Sequence, residues 1–421
     1  MSGEGSAAVA WNHRHLIDLD VLTWPEIELI MRTTDEMKGI LARPIRKVPA
    51  LNGRRVTTLF YEASTRTRVS FETAARNLSA DVVSVSTATS SVTKGESLVD
   101  TIRTLEALGA EILVMRHSVS GAPYLAAEIF GGHVLNGGDG WHAHPTQALL
   151  DLYTMRQHLP GGDLRGRKVA IVGDILHSRV ARSNVWSLTA AGADLWLCGP
   201  ATLLRGMDRW AGAWAGGAIP GHGRFNVTSD ISAALRDADV VMGLRIQRER
   251  MQGVLLPSMR EYAARFQLNA ERVSLAKPDA IVMHPGPMNE GVEIAPDVAQ
   301  AVRDADVVMA LRIQRERLAG GLLPSLREYA ARFGLNTERV SLAKPEAIVM
   351  HPGPMNEGVE ISPDVATSGR AVITEQVANG VAVRMALLYL LAGAHEAAGE
   401  HEVGHEVGHA HEGPHAPEAT R

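Results

Sequence analysis

Cysteine is nearly absent from this chain, with one residue, Cys198, among 421. A single thiol cannot form an internal disulfide, so we expect a protein of the reducing cytoplasm. No set of cysteine, histidine and carboxylate residues has metal-ligand spacing in the part of the chain that we expect to fold. The Gly-x-Gly-x-x-Gly pattern of dinucleotide sites is also absent after the strand-like stretch 168–173, which ends in glycine. The sequence therefore predicts no metal and no cofactor.

Long apolar runs and an excess of positive charge are missing as well. No stretch reaches the roughly 18–20 apolar residues that cross a bilayer, and residues 1–10 lack the basic and apolar regions of a signal peptide. The net charge of −5 gives no reason to expect nucleic acid. The composition, 45% hydrophobic and 21% charged, is ordinary for a globular protein. We therefore expect neither a membrane nor a nucleic acid among the partners.

Strand-like and helix-like patterns alternate along the chain, which predicts an α/β protein with mostly parallel sheets. The expected strands form two series separated by Gly161-Gly162, namely 55–61, 81–86, 111–115 and 131–139, then 168–173, 194–198 and 225–228. We predict two doubly wound parallel-sheet domains, 1–150 and 151–369. Helix 370–393 is expected to return to the first domain. The histidine-rich tail 394–421 is expected to be disordered, with adventitious metal affinity as the second interpretation.

A direct repeat occupies much of the second domain. Copy one, 233–299, and copy two, 300–366, are identical at 56 of 67 aligned positions, so the duplicated unit is about one sixth of the chain. Two copies are too few for a solenoid and indicate a tandem duplication inside one domain. Each copy carries the same pair of strand-like segments, so copy one, copy two, or one segment from each could join the sheet. We expect copy two to supply the second of these strands and leave the source of the first open.

The stretch Phe60-Tyr61-Glu62-Ala63-Ser64-Thr65-Arg66-Thr67-Arg68 joins an expected strand to an expected helix. A helix N-terminus presents unpaired backbone N–H groups and a positive dipole end, which together bind anions. Ser64, Thr65 and Thr67 add hydroxyl donors, and Arg66 adds a planar fork that matches phosphate oxygens. An ordinary N-cap explains one hydroxyl but not three hydroxyls interleaved with two guanidiniums. We therefore expect a phosphate site.

Further polar clusters follow other strands, at the sheet edge where α/β proteins bind ligands. Arginine is the commonest residue in these clusters. The clusters are Lys94, Arg116, His144 with Gln147, Arg179, Arg245-Ile246-Gln247 and its repeat Arg312-Ile313-Gln314, and the two His-Pro-Gly-Pro segments 284–287 and 351–354. Many cations with one histidine suit a reaction between two anionic substrates that needs neither a metal nor a covalent intermediate.

These motifs together resemble the catalytic chain of the aspartate carbamoyltransferase family. The resemblance covers roughly 12–393 apart from the additional repeat copy, and it implies the carbamoyltransferase fold. The Ser-Thr-Arg-Thr-Arg motif is shared with ornithine carbamoyltransferases, so the discrimination depends on His144-Pro145-Thr146-Gln147 and on His-Pro-Gly-Pro-Met-Asn. The His-Cys-Leu-Pro motif that is typical of the ornithine enzymes does not occur. The implied reaction is carbamoyl transfer from carbamoyl phosphate to L-aspartate, a step of pyrimidine biosynthesis.

The resemblance implies that the first domain binds carbamoyl phosphate. Ser64–Thr67 would hold the phosphate, while Thr67, Arg116 and His144 would polarise the carbonyl oxygen and stabilise the oxyanion. Together with Arg66, these three are the implied catalytic residues. Gln147 would orient the carbamoyl NH₂.

The same resemblance implies that the second domain binds aspartate. Arg179 would hold the α-carboxylate. Either Arg245 with Gln247 or Arg312 with Gln314 would bind the β-carboxylate. The backbone carbonyls of Gly353-Pro354 or of Gly286-Pro287 would face the amine and the carbamoyl group. Lys94 would contact phosphate and aspartate. Because Lys94 would reach into a neighbour's site, the implied active unit is a homotrimer, to which a regulatory or pathway-enzyme partner could bind.

Each residue also has a plainer interpretation. Lys94 would be a solvated loop lysine, Arg116 and Arg179 would form surface ion pairs of little energetic value, and His144 would only open a helix before Pro145. Two other functions stay open at this point. They are an inactive carbamoyltransferase paralogue that acts as an assembly subunit, and a carbamoyltransferase for another amino acceptor.

Overall fold

The structure is a computed structural model that describes residues 9–62, 64–86, 97–207, 223–244, 246, 258–278, 280–283, 307–309, 348–350 and 379–393. Its strands form two larger parallel sheets, of four and five strands, and a separate parallel pair. Helices alternate with the strands, so the predicted α/β class with two parallel sheets is confirmed. None of the described helices is both long enough and apolar enough to cross a membrane.

The first sheet has the strand order β2-β1-β3-β4. Its elements are α1 (Trp24–Leu41), β1 (Arg55–Phe60), α2 (Thr65–Asn77), β2 (Asp81–Ser86), α3 (Leu98–Ala107), β3 (Ile112–His117), α4 (Ala122–Ile129), β4 (His133–Asp139) and α5 (Pro145–His158). The predicted strands agree with these bounds to within about two residues. Sequence reasoning did not propose α4, which begins at Ala122 directly before Pro123 and has only eight residues.

The second sheet has the strand order β7-β6-β5-β8-β9. Its elements are β5 (Lys168–Val172), α6 (Arg179–Ala190), β6 (Asp194–Cys198), β7 (Phe225–Thr228), α7 (Ile231–Leu235), β8 (Val240–Gly243), α8 (Met259–Phe266), α9 (Ala270–Val273) and β9 (Ile281–Met283). Gly173, at the end of β5, has a positive φ of 139°, and a Cβ there would lie 2.7 Å from the Leu244 carbonyl oxygen. The glycine permits close approach of two backbones and needs no bound dinucleotide to explain it.

Copy one of the repeat supplies both strands of the second sheet beyond β5. Val240 aligns with Val169 of β5, and Ile281 aligns with Val240 in turn. Asp239 fastens this copy to the sheet, because its carboxylate accepts hydrogen bonds from the Lys168 backbone N–H at 2.9 Å and from the Arg167 guanidinium at 3.1 Å. Our expectation that copy two provides the second strand is therefore wrong. The two copies present nearly the same apolar residues, so their sequences could not decide between them.

Copy two forms the separate strand pair. Its strands β10 (Val307–Met309) and β11 (Ile348–Met350) pair with Val307 opposite Ile348, which is the register that Val240 and Ile281 adopt in copy one. The identical segments thus make the same local pairing outside the five-stranded sheet.

The C-terminal helix α10, residues 379–393, packs against the first sheet's helices. Ala382, Val383 and Met385 are fully buried, and Asn379 donates a hydrogen bond to Gln157 of α5 at 2.9 Å. This is the neighbourhood to which we expected the last helix to return. The proposed domain boundaries themselves stay a prediction, and the tail 394–421 lies outside the described residues.

The docking of copy one predicts that equivalent substitutions in the two copies differ in effect. Val241 is fully buried in β8, so Val241→Asp should lower the free energy of unfolding by more than about 4 kcal/mol, because it buries an unpaired charge. The equivalent Val308→Asp lies outside the five-stranded sheet and should have a markedly smaller effect. Denaturant unfolding of both variants measures the difference, and equal losses would contradict the docking of copy one.

Candidate active site

The first part of the candidate site is the N-terminus of α2. Ser64 occupies the N-cap position with φ of −158°, and Thr65, Arg66 and Thr67 form the first turn. The Ser64 hydroxyl donates to the Thr67 hydroxyl oxygen at 2.9 Å. Arg66 is exposed, whereas Thr67 is 8% exposed. The motif therefore presents first-turn N–H groups, hydroxyls and one guanidinium at a single helix end, which suits an anion.

Arg116 reaches the same region from the end of β3. It is 7% exposed, and its guanidinium donates to the Gly137 carbonyl oxygen at 3.0 Å and to the Glu62 carboxylate at 3.2 Å. The interpretation of Arg116 as a surface ion pair is wrong, because a guanidinium buried to this degree needs several partners to remain charged.

Arg179 comes from the other sheet, where it is the first residue of α6. The loop before it is held by His177, whose ring lies 2.7 Å from the buried Asp174 carboxylate. The Arg179 guanidinium donates to both oxygens of Glu62, at 2.8 and 3.2 Å. Arg179 is 6% exposed, so it too is more than a surface ion pair. The Glu62 carboxylate thus binds both Arg116, from β3 of the first sheet, and Arg179, from the helix that follows β5 of the second sheet.

Gly138 leaves the space in which these two arginines meet. Its φ is +115°, and a Cβ built on it would lie 3.0 Å from an Arg116 nitrogen and 3.1 Å from Arg179 Nε. A side chain at this position would displace the guanidiniums, which explains a glycine near the C-terminal end of a buried strand.

His144 forms the N-cap of α5 beside the arginines. Its backbone N–H donates to the Ser183 hydroxyl of α6 at 3.0 Å, and its side-chain Nδ1 has no hydrogen-bond partner among the described residues. Burial lowers the pKa of His144 well below its usual value, and the nearby charges of Arg116 and Arg179 lower it further. The imidazole is therefore neutral at physiological pH and carries one N–H donor.

Arg384 is a further buried cation, and sequence reasoning did not assign it to the site. It extends from α10, donates to the Ser70 hydroxyl at 2.9 Å, and lies 4.9 Å from the centre of the Phe71 ring. Burial lowers its pKa to about 10, with a smaller contribution from the charge of Arg66. Its charge also contributes to the lowered pKa of His144. The sequence feature that could have identified Arg384 is its position as the single arginine in a mostly apolar helix.

Gln147 lies on the first turn of α5. Its side-chain amide donates to the Asp151 carboxylate at 2.9 Å, and Asn184 of α6 donates to the other oxygen of that carboxylate at 3.0 Å. These bonds connect the first sheet's last helix with the second sheet's first helix. Neither Asp151 nor Asn184 was singled out from the sequence.

The structure thus joins Arg116 and Arg179 at Glu62, with His144 near enough for the charges of both arginines to lower its pKa. Ser64–Thr67 follow Glu62 closely along the chain. Sequence reasoning also missed Glu62, although it lies within the quoted motif, because a carboxylate is unexpected in an anion site. Several predicted site residues lie outside the described residues, namely Lys94, Arg245, Gln247, Gly286, Pro287, Arg312, Gln314, Gly353 and Pro354. Among the described residues no group of histidine, cysteine or carboxylate side chains could hold a metal ion.

Comparison with known proteins identifies the family. The family model "Aspartate/ornithine carbamoyltransferase, carbamoyl-P binding domain" matches residues 14–157, and "Aspartate/ornithine carbamoyltransferase, Asp/Orn binding domain" matches 165–301 and 295–391. The chain is 50% identical over 380 residues to the aspartate carbamoyltransferase catalytic subunit of Chloroflexus aggregans, an alignment that covers 90% of this chain and 98% of that protein. The chain belongs to the aspartate carbamoyltransferase catalytic-subunit family. This finding confirms the resemblance that the sequence motifs indicated.

Solved structures of aspartate carbamoyltransferases, also called aspartate transcarbamoylases, share the fold. The catalytic subunit from M. jannaschii is 29% identical with a TM-score of 0.59, over 91% of this chain and 99% of that one. The enzyme from Trypanosoma cruzi, solved in complex with carbamoyl aspartate and phosphate, is 25% identical with a TM-score of 0.57, over 91% of this chain and 98% of that one. The expected carbamoyltransferase fold is therefore confirmed.

The shared carboxylate predicts a measurable contribution of Glu62 to stability. Glu62→Gln leaves two buried guanidiniums with a neutral partner, so we expect the free energy of unfolding to fall by about 1–2 kcal/mol, a range that allows for screening of a side chain 29% exposed. Glu261→Gln is the matched control, because Glu261 pairs with Arg265 across 3.9 Å at an exposed position and should change stability by less than about 0.5 kcal/mol. Equal effects in denaturant unfolding would contradict the role of Glu62.

Proposed function

We propose that this protein transfers the carbamoyl group of carbamoyl phosphate to the amine of L-aspartate, giving N-carbamoyl-L-aspartate and phosphate in pyrimidine biosynthesis. The observation that carries the proposal is the convergence of Arg116 and Arg179 on Glu62, beside a neutral histidine and the hydroxyl-rich start of α2. The names of the relatives and the ligands of the T. cruzi structure support the same reaction.

Carbamoyl phosphate binds at the N-terminus of α2 in this proposal. The first-turn N–H groups and the hydroxyls of Ser64, Thr65 and Thr67 hold the phosphate oxygens, and Arg66 adds a charged fork. Thr67, Arg116 and His144 donate to the carbonyl oxygen, where negative charge grows as the amine attacks. A neutral imidazole can serve this purpose because it keeps one N–H group that can donate a hydrogen bond to the oxygen.

The reaction needs correct placement more than acid–base chemistry. The aspartate amine forms the new C–N bond, the bond between the carbonyl carbon and the phosphate oxygen breaks, and phosphate leaves with the proton released by the amine. Arg179 holds the α-carboxylate. Because copy one is in the sheet, we assign the β-carboxylate to Arg245 and Gln247, and we assign the backbone carbonyls that face the amine to Gly286-Pro287.

The proposal includes a cytoplasmic homotrimer with Lys94 reaching into a neighbouring site. Exposed apolar side chains on the first sheet's unit support a subunit contact, since Val119 is 59% exposed, Tyr124 42% and Trp141 38%. Trp141 and Tyr124 lie in one region, because the Trp141 backbone bonds to Ser120 and the Tyr124 ring contacts His142. Grouped apolar side chains of this kind mark protein interfaces. This surface would also be the place to search for regulatory or pathway-enzyme partners.

Purified protein should form carbamoyl aspartate from carbamoyl phosphate and aspartate. Arg66→Ala and His144→Ala should each lower kcat/KM by at least about 10²-fold, because each removes a donor to a developing or bound anion. Arg265→Ala, an exposed arginine of α8, is the control and should leave activity unchanged. If product formed only with another amine, that amine would be the acceptor in place of aspartate. No product with any acceptor would favour an inactive assembly subunit.

Mixing of inactive variants tests the shared site. Lys94→Ala and His144→Ala trimers, dissociated and reassembled together, should regain a fraction of wild-type activity, because a mixed trimer contains sites that lack neither residue. Reassembly of each variant alone supplies the control. Mixed assemblies that stay inactive, although mass measurement shows that subunits have exchanged, would contradict the assignment of Lys94 to a neighbouring site.

A further inference from the structure

Asp151 is a buried carboxylate that links two side-chain amides. It is 4% exposed and lies one helical turn after Gln147 on α5. One of its oxygens accepts from Gln147 Nε2 at 2.9 Å, and the other accepts from Asn184 Nδ2 at 3.0 Å. Asn184 also donates to the Val180 carbonyl oxygen at 3.1 Å, so its position on α6 is fixed independently. Both carboxylate oxygens are therefore occupied by amide donors.

An ionised carboxylate accepts hydrogen bonds and cannot donate them. The amide of Gln147 must therefore turn its NH₂ group toward Asp151, and its oxygen Oε1 must face the other way. This constraint matters because the two ends of a glutamine amide have almost the same shape and only the hydrogen-bond network distinguishes them. Asp151 supplies that distinction for Gln147.

We propose that Asp151 is a positioning residue that holds the amide of Gln147 with its oxygen toward the carbamoyl NH₂, and so lets the site recognise carbamoyl phosphate by its amino group. The inference rests on the proposed function, in which Gln147 orients that group. A carbamoyl NH₂ is a donor and needs an acceptor. With the amide reversed, two NH₂ groups would face each other, and neither would have a partner.

The protonation state of Asp151 determines which way the Gln147 amide can point. Burial raises the pKa of Asp151 to about 6, and the hydrogen bonds from Asn184 and Gln147 oppose that rise. No charged side chain of the described residues contributes to this shift. The group is ionised at neutral pH and gains a proton as the pH falls through about 6. A protonated Asp151 can donate to Gln147 Oε1, which permits the reversed amide.

Acetyl phosphate is the probe that isolates this contact, because a methyl group replaces the NH₂ and everything else is nearly the same shape. The measurement is the ratio of the dissociation constants of acetyl phosphate and carbamoyl phosphate, obtained by calorimetric titration of the full chain. A site built to bond a polar group rejects the analogue that lacks it, so the wild type should prefer carbamoyl phosphate. Asp151→Asn should reduce that preference on the order of 10-fold, because the new amide can donate to Gln147.

A double-mutant cycle separates positioning from a general structural role. Gln147→Met removes the amide and should reduce the preference as Asp151→Asn does, and the double variant should lose no more than either single variant. Asp35→Asn is the matched control, since Asp35 also bonds to a residue of α5, Tyr153, at 2.6 Å, and should leave the ratio unchanged. An unchanged ratio in Asp151→Asn, or additive losses in the double variant, would overturn the proposal.

The wild type offers a second measurement that does not depend on folding of a variant. Its preference for carbamoyl phosphate should fall as the pH is lowered through about 6, whereas a constant preference across that range would overturn the proposal. Wild-type protein that makes no carbamoyl aspartate would instead defeat the proposed function. Wild-type protein that makes the product while Asp151→Asn keeps its preference would defeat only the role given to Asp151.

Discussion

Burial of several guanidinium groups in one place is the constraint around which this molecule is built. Arg116 and Arg179 are each less than 8% exposed, and both donate to Glu62. Buried cations persist only where acceptors surround them. The carboxyl ends of the two larger sheets must therefore face each other, because β3 delivers one arginine and the helix after β5 delivers the other. Burial, assisted by the charges of these arginines, lowers the pKa of His144 and keeps it neutral.

Helix N-termini meet at the same place. Helix α2 begins after Ser64, α5 after His144 and α6 after Ser178, and each follows a parallel strand or its loop. Parallel topology places the starts of α2 and α5 at one edge of the first sheet, and the hydrogen bond from the His144 backbone to Ser183 brings the start of α5 against α6. Helices α5 and α6 also contact each other directly through Ser183 with His144 and Asn184 with Asp151. The polar contacts between the two sheets' units are thus part of the site.

The sequence predicted the two parallel sheets and singled out Arg116 and Arg179 at their strand ends, because periodicity and strand-end motifs are local signals. The residues that it did not predict act through distant contacts. Glu62 has a role only once two arginines from different sheets reach it, and Arg384 meets Ser70, which lies 314 positions earlier. The docking of copy one was also beyond sequence reasoning, because Val240, Val241 and Met242 recur unchanged as Val307, Val308 and Met309. Local patterns reveal which segments form strands but not which of two equal candidates joins the five-stranded sheet.

The repeated strand pair has an evolutionary consequence. Copy one is held by β5 and by the hydrogen bonds of Asp239, so selection acts on it through the stability of the sheet. Copy two reproduces the register of that pair without being part of the sheet. The two copies still share 56 of 67 aligned residues, so the same segment is present once inside the five-stranded sheet and once outside it. A change in one strand of either pair would therefore have to be accommodated by a different set of neighbouring strands in each copy.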